Sequence, residues 1–184
     1  MMTLPSSPIP FQRRPSAGFE QPFEMLQACH ERVERTLRLL RRLRTHLQTV
    51  GCDEQARQAA IDVMRYFDQA APAHHEDEER HVFPALRAAG LHLETVDRLA
   101  REHAEMAELW LRARELLLRA AQGPWEPYSP DEDGVLEQYA AQYEWHMAAE
   151  NELVFPTAGR LLDAAAQAAM GEEMARRRGV VPPR

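Results

Sequence analysis

Two segments of the chain repeat one another: His74-His75-Glu76-Asp77-Glu78-Glu79-Arg80-His81-Val82-Phe83-Pro84 and His146-Met147-Ala148-Ala149-Glu150-Asn151-Glu152-Leu153-Val154-Phe155-Pro156. Each sets a histidine four residues ahead of a glutamate and ends on Val-Phe-Pro at the same distance. On an α-helix, positions i and i+4 lie one turn apart on one face, so imidazole and carboxylate point together. Two such pairs facing each other inside a helical bundle are the parts of a binuclear metal site.

The apolar period around these segments is helical, and no strand pattern competes with it. A first helix is expected from Pro22 to Gly51, with a seam of Phe23, Leu26, His30, Val33, Leu37 and Leu40. A second should start on Asp53 as N-cap and run to Gly90, kinked by Pro72 just before His74. A third carries Val96, Leu99, His103, Met106, Trp110, Ala113 and Leu117 and stops at Gly123-Pro124. The fourth opens with Ser129-Pro130-Asp131-Glu132, which has capping-box spacing. Its seam is Leu136, Tyr139, Tyr143, His146, Glu150 and Leu153, and it fades near Gly171. Short connections make this an all-α, up-down-up-down four-helix bundle over residues 21–171. Residues 1–20, with Pro5, Pro8, Pro10 and Pro15, read as a disordered N-terminal arm, and 172–184 as a flexible C-terminal tail.

Each seam carries one histidine, and the spacings agree: His30 to His74 is 44 residues and His103 to His146 is 43. The first and third helices resemble each other, as do the second and fourth. A pseudo-twofold bundle would bring four histidines and two glutamates to a single core layer. Six ionisable groups there are costly unless something compensates them. A pair of metal ions does so, each taking two nitrogens and two oxygens, with a solvent-derived oxide or hydroxide bridge and a position open to a small molecule. Borderline nitrogen donors with hard carboxylates suit iron best; manganese and zinc are the alternatives.

The order His, His-x-x-x-Glu, His, His-x-x-x-Glu, each pair followed by Phe-Pro, resembles the hemerythrin and HHE cation-binding family over roughly residues 22–165. The resemblance implies a hemerythrin-like bundle with a carboxylate-bridged di-iron centre. Its metal ligands would be His30, His74, Glu78, His103, His146 and Glu150. The oxygen-carrying hemerythrins have a fifth histidine one turn further along the third helix, where this chain has Ala107. The second ion is then one nitrogen short, which weighs against simple oxygen carriage and toward redox or sensing chemistry. Water, Glu34 or His81 could complete it.

Neighbouring residues have plainer readings. His75, rotated about 100° from His74, is expected at the surface or behind the ligands. His81 lies near the Glu78 face and could bond a ligand or line an entrance. Glu34 more simply faces the arginines of the first helix. Tyr66 and Tyr143 read as core packing, and Phe67 and Trp110 as dry walls.

Composition narrows the function. A net charge of −7 and a pI of about 5.6 argue against a phosphate-backbone partner. Arg35, Arg38, Arg41, Arg42 and Arg44 are interrupted by leucines and acids, as on a solvated face. Two cysteines, Cys29 and Cys52, make no disulfide framework and fit a reducing cytoplasm. No segment has the length of a membrane span, and Arg13-Arg14 is followed by no apolar core. A ferritin-like oxidase would need more carboxylates and two Glu-x-x-His motifs, of which only Glu78–His81 exists. The expected function is a non-haem di-iron protein that binds or reduces dioxygen, nitric oxide or peroxide, as carrier, sensor or enzyme in oxidative or nitrosative stress. The alternative is an iron- or redox-responsive interaction module without turnover.

Overall fold

Caps and breaks written into the chain set the ends of four long helical rods. The computed structural model describes residues 18–180, and every element among them is helical. The first rod is α1 (Pro22–Thr49), with proline at its first position; Gly51 follows it with φ of 98°. The second comprises α2 (Glu54–Asp77), a wide π turn (Glu78–Val82) and α3 (Phe83–Ala89). Asp53 caps its start by accepting from the Ala56 N–H, and Gly90 ends it at φ 69°, where a side chain would be strained. The third rod is α4 (Leu93–Gln122). The fourth comprises α5 (Pro130–Ala149), a second π turn (Glu150–Val154) and α6 (Phe155–Leu161). Ser129 and Glu132 close the expected capping box. Neighbouring rods pack α1 on α2, α2 on α4, α4 on α5 and α5 on α1, closing a ring.

The two π turns are where the repeated Phe-Pro acts. Pro84 has no N–H to donate to the carbonyl four residues back, and its ring crowds that carbonyl. The helix opens just before it, and the Phe83 N–H bonds to the Glu78 carbonyl five residues back. Pro156 does the same, with Phe155 donating to Glu150. Each wide turn takes up an extra residue, so Val82 and Val154 fall on the buried face in place of His81 and Leu153, which are half-buried. The kink expected at Pro72 is not found as a break: α2 runs unbroken through it, and the departure from α geometry comes at Glu78.

Two apolar clusters fill the ring. One holds Val33, Leu37, Phe67, Met106, Trp110, Tyr139 and Tyr143; the other holds Leu26, Phe83, Leu86, Leu99, Val154 and Phe155. The polar layer lies between them on every rod: Leu26, His30, Val33 on the first, and Leu99, His103, Met106 on the third.

The fourth rod stops at Leu161 rather than fading near Gly171, and a separate helix follows: α7 (Ala164–Arg177), capped by Asp163. The tail expected from residue 172 therefore begins inside a helix. Met170 and Met174 seat α7 on the second cluster, and Gly171 lets it touch the chain entering α1, since a Cβ there would stand 1.8 Å from the Phe19 carbonyl oxygen. Arg177 and Arg178 reach the fully buried Asp77, with Arg178 Nη2 donating to Asp77 Oδ2 at 2.6 Å and to the Ala73 carbonyl at 3.0 Å. The N-terminal arm falls almost wholly outside the described residues. No helix among them is long and apolar enough to cross a membrane.

Candidate metal centre

All six residues expected at the centre are buried, and they meet in the layer between the two clusters. Their donor atoms form two sets of four: His30, His74, Glu78 and Glu150 in one, and His103, His146, Glu78 and Glu150 in the other. The glutamates belong to both sets because each splits its carboxylate. Glu78 Oε1 lies 3.1 Å from His74 Nε2, and its Oε2 lies 3.4 Å from His103 Nε2. Glu150 Oε2 lies 3.2 Å from His30 Nε2, and its Oε1 lies 3.1 Å from His146 Nε2. Nε2 atoms pair across the rods at 2.9 Å for His30 and His74, and 3.1 Å for His103 and His146.

These lengths match the spacing of donors around a metal ion. Ligands bonded at about 2.1 Å and at right angles stand roughly 3.0 Å apart. A hydrogen-bonded network does not account for them, because none of the four buried carboxylate oxygens has a hydrogen-bond partner among the described residues. Native cores rarely leave such atoms without one. Either set of four could hold a metal ion.

Outer contacts hold the imidazoles in the tautomer that leaves Nε2 bare. His30 Nδ1–H donates to Asn151 Oδ1 at 2.9 Å, His103 Nδ1–H to Glu79 Oε1 at 2.8 Å, and His146 Nδ1–H to Glu102 Oε2 at 3.0 Å. The partners of His30 and His103 each follow a shared glutamate in sequence. His74 Nδ1 is buried without a partner. The phenylalanines of the repeat stack on histidines of neighbouring rods, Phe155 on His30 at 5.2 Å and Phe83 on His103 at 5.5 Å. The repeated spacing thus serves backbone, carboxylate and imidazole together.

The chain belongs to the hemerythrin HHE cation-binding family. Its family model, the hemerythrin HHE cation binding domain, matches residues 21–158. The chain is also 31% identical over 169 residues to an uncharacterized protein of Haemophilus influenzae (strain ATCC 51907 / DSM 11121 / KW20 / Rd), covering 89% of this chain and 94% of that one.

The electrostatics of the HHE centre carry the cost of two facing acids. Burial, with the Glu150 carboxylate alongside, raises the Glu78 carboxyl to about 8. Burial also works to raise Glu150, but His146, His103 and His30 outweigh it and hold Glu150 well below the ordinary carboxylate range. Burial lowers His146, and the Glu150 and Glu78 carboxylates overcome it, raising the imidazole to about 9. Without a cation, protons on Glu78 and His146 offset the two facing acids, and a cation would replace them.

Other expectations divide. Glu34 points away and pairs with Arg38 at 3.4 Å, and His81 turns to Glu173 at 2.7 Å because the π turn carries it off the ligand face. Neither completes the second set. Ala107 is exposed on α4. Tyr143 and Tyr139 bond through their hydroxyls at 3.0 Å, and the Tyr66 hydroxyl donates to the Cys29 carbonyl at 3.2 Å, so both expected core tyrosines pack as such. Phe67 and Trp110 pack on each other within the first apolar cluster, with rings 5.3 Å apart. His75, expected at the surface or behind the ligands, is half-buried, and its ring lies against that of His103. A rotation of 100° from His74 aims it at the seam between α2 and α4, which periodicity alone cannot distinguish from solvent. Glu79, Glu102 and Asn151 serve as outer partners without belonging to either repeat's His-x-x-x-Glu pair. Their adjacency to ligand positions was the available signal.

Proposed function

We propose that this chain is a non-haem di-iron protein of the bundle's core, built up-down-up-down, that binds or reduces a small oxidant in the cytoplasm: dioxygen, nitric oxide or peroxide. The observation that carries the reading is the split of Glu78 and Glu150, each offering one oxygen to either histidine pair. Four neutral imidazoles and two bridging carboxylates leave a cation pair a net positive charge and a free position, which draws a small electron-rich ligand. Iron there would supply electrons one or two at a time. The protein's part is to hold geometry, through Asn151, Glu79 and Glu102 on the imidazoles, and to limit water, through Phe83, Phe155, Phe67 and Trp110.

The test is anaerobic loading with ferrous iron, metal analysis, and optical spectra after separate additions of dioxygen, peroxide and nitric oxide. Two irons per chain and a near-ultraviolet charge-transfer absorption that responds to at least one oxidant are expected, both lost in Glu150→Ala. Fewer than two irons in the wild type would refute the centre.

The buried acid pair favours a second reading, an iron-responsive interaction module, since the layer's stability depends on what neutralises it. Metal-dependent unfolding with no consumption of peroxide or nitric oxide would select that reading.

A further inference from the structure

The two halves of the centre are built alike but not filled alike. The pseudo-twofold that exchanges His74 with His146 and Glu78 with Glu150 also exchanges His75 with Met147. His75 reaches the gap between α2 and α4, where its ring lies 3.9 Å from that of His103, with 8° between their planes, and 5.9 Å from that of His146. A nitrogen of His75 lies within 4.8 Å of nitrogens of both His103 and His146. His30, His103 and His146 each commit Nδ1 to an outer partner, whereas His75 makes no hydrogen bond among the described residues.

We propose that His75 is the third nitrogen ligand of the cation shared by His103 and His146, making this the tighter of two unequal positions. The inference rests on the reading of the centre as a cation pair. Its chemistry is that of a borderline divalent ion, for which a third imidazole adds affinity. The pseudo-equivalent Met147 offers the other position only a thioether, a weak partner for such an ion. The outer contacts act in the same direction: carboxylates of Glu79 and Glu102 make the imidazoles of His103 and His146 better donors than the Asn151 amide makes His30. The stacked rings of His75 and His103 are nearly parallel, so their in-plane lone pairs run side by side. Ligation would require the His75 ring to turn out of the stack about its side-chain torsions.

Anaerobic titration with cobalt(II), followed by calorimetry and by the visible d–d bands, tests the proposal. The wild-type protein is expected to take up two ions in two unequal steps. His75→Ala should weaken the tighter step at least roughly ten-fold, no less than loss of an outer partner does. It should shift the bands of that ion and leave the weaker step in place. Added imidazole should restore both affinity and bands, which a packing defect would not allow. His75→Asn is read the same way if the alanine variant melts early without metal. Unchanged affinities and bands in these variants overturn the role of His75. Wild-type protein that takes up fewer than two ions overturns the two-cation reading instead.

Discussion

Replacing Glu78 with glutamine should destroy cation binding and at the same time stabilise the cation-free protein. The unfolded chain carries Glu78 as an ordinary carboxyl titrating near 4.5, while burial beside Glu150 raises it to about 8 in the folded layer. Folding at pH 7 therefore requires Glu78 to take up a proton that the unfolded chain has released. At about 1.4 kcal/mol for each factor of ten in proton affinity, the interval from 4.5 to 7 amounts to about 3 kcal/mol. Glutamine keeps the volume and a donor and has no proton to acquire. The sign follows from the raised value: the wild-type contribution is fully present below pH 4.5 and is lost as pH rises toward 8. Glu78→Gln and wild type should be equally stable near pH 4 and separate by about 3 kcal/mol at pH 7. For a chain of this length that is roughly 6–12 °C in melting temperature. Chelated protein melted by circular dichroism from pH 4 to 8.5 measures the gap. Ferrous iron should raise the wild-type melting temperature and leave the variant where it was. A variant less stable than chelated wild type at pH 7, or a gap that does not widen between pH 5 and 8, would refute the reasoning.

Two further outcomes are expected. Arg177→Ala with Arg178→Ala leaves Asp77 buried with neither guanidinium, which should cost about 3–5 kcal/mol in urea unfolding, against a smaller loss for either change alone. Adding Asp77→Asn should recover most of that loss, and a double variant as stable as wild type would show that α7 is not latched. Glu102→Gln or Glu79→Gln, each weakening the orientation of one imidazole, should lower cation affinity by about 10- to 100-fold in chelator competition while leaving the chelated protein's melting nearly unchanged.

The layer could be read in advance because its signals were periodic. His30 between Leu26 and Val33, and His103 between Leu99 and Met106, sit on apolar stripes that can face only inward, and the repeated His-x-x-x-Glu fixed which acids accompany them. Residues off that period are placed by packing instead. His81 looked close to Glu78 on an ideal helix, but the turn ahead of Pro84 is wide and displaces it. His75 reads on a single helix as exposed or behind the ligands, and the neighbouring rod decides between the two by covering it. The arginines ending α7 looked like a tail because their partner, Asp77, lies 100 residues earlier in the chain.

Local sequence alone determined the helices, their caps, the stripe each rod buries and the identity of six converging donors, since these follow from periodicity and from side-chain chemistry within a few residues. Tertiary structure decided how the carboxylates divide between two histidine pairs, which imidazole lies covered between rods, and what α7 fastens. Those depend on distances between segments far apart in the chain, and only packing sets them.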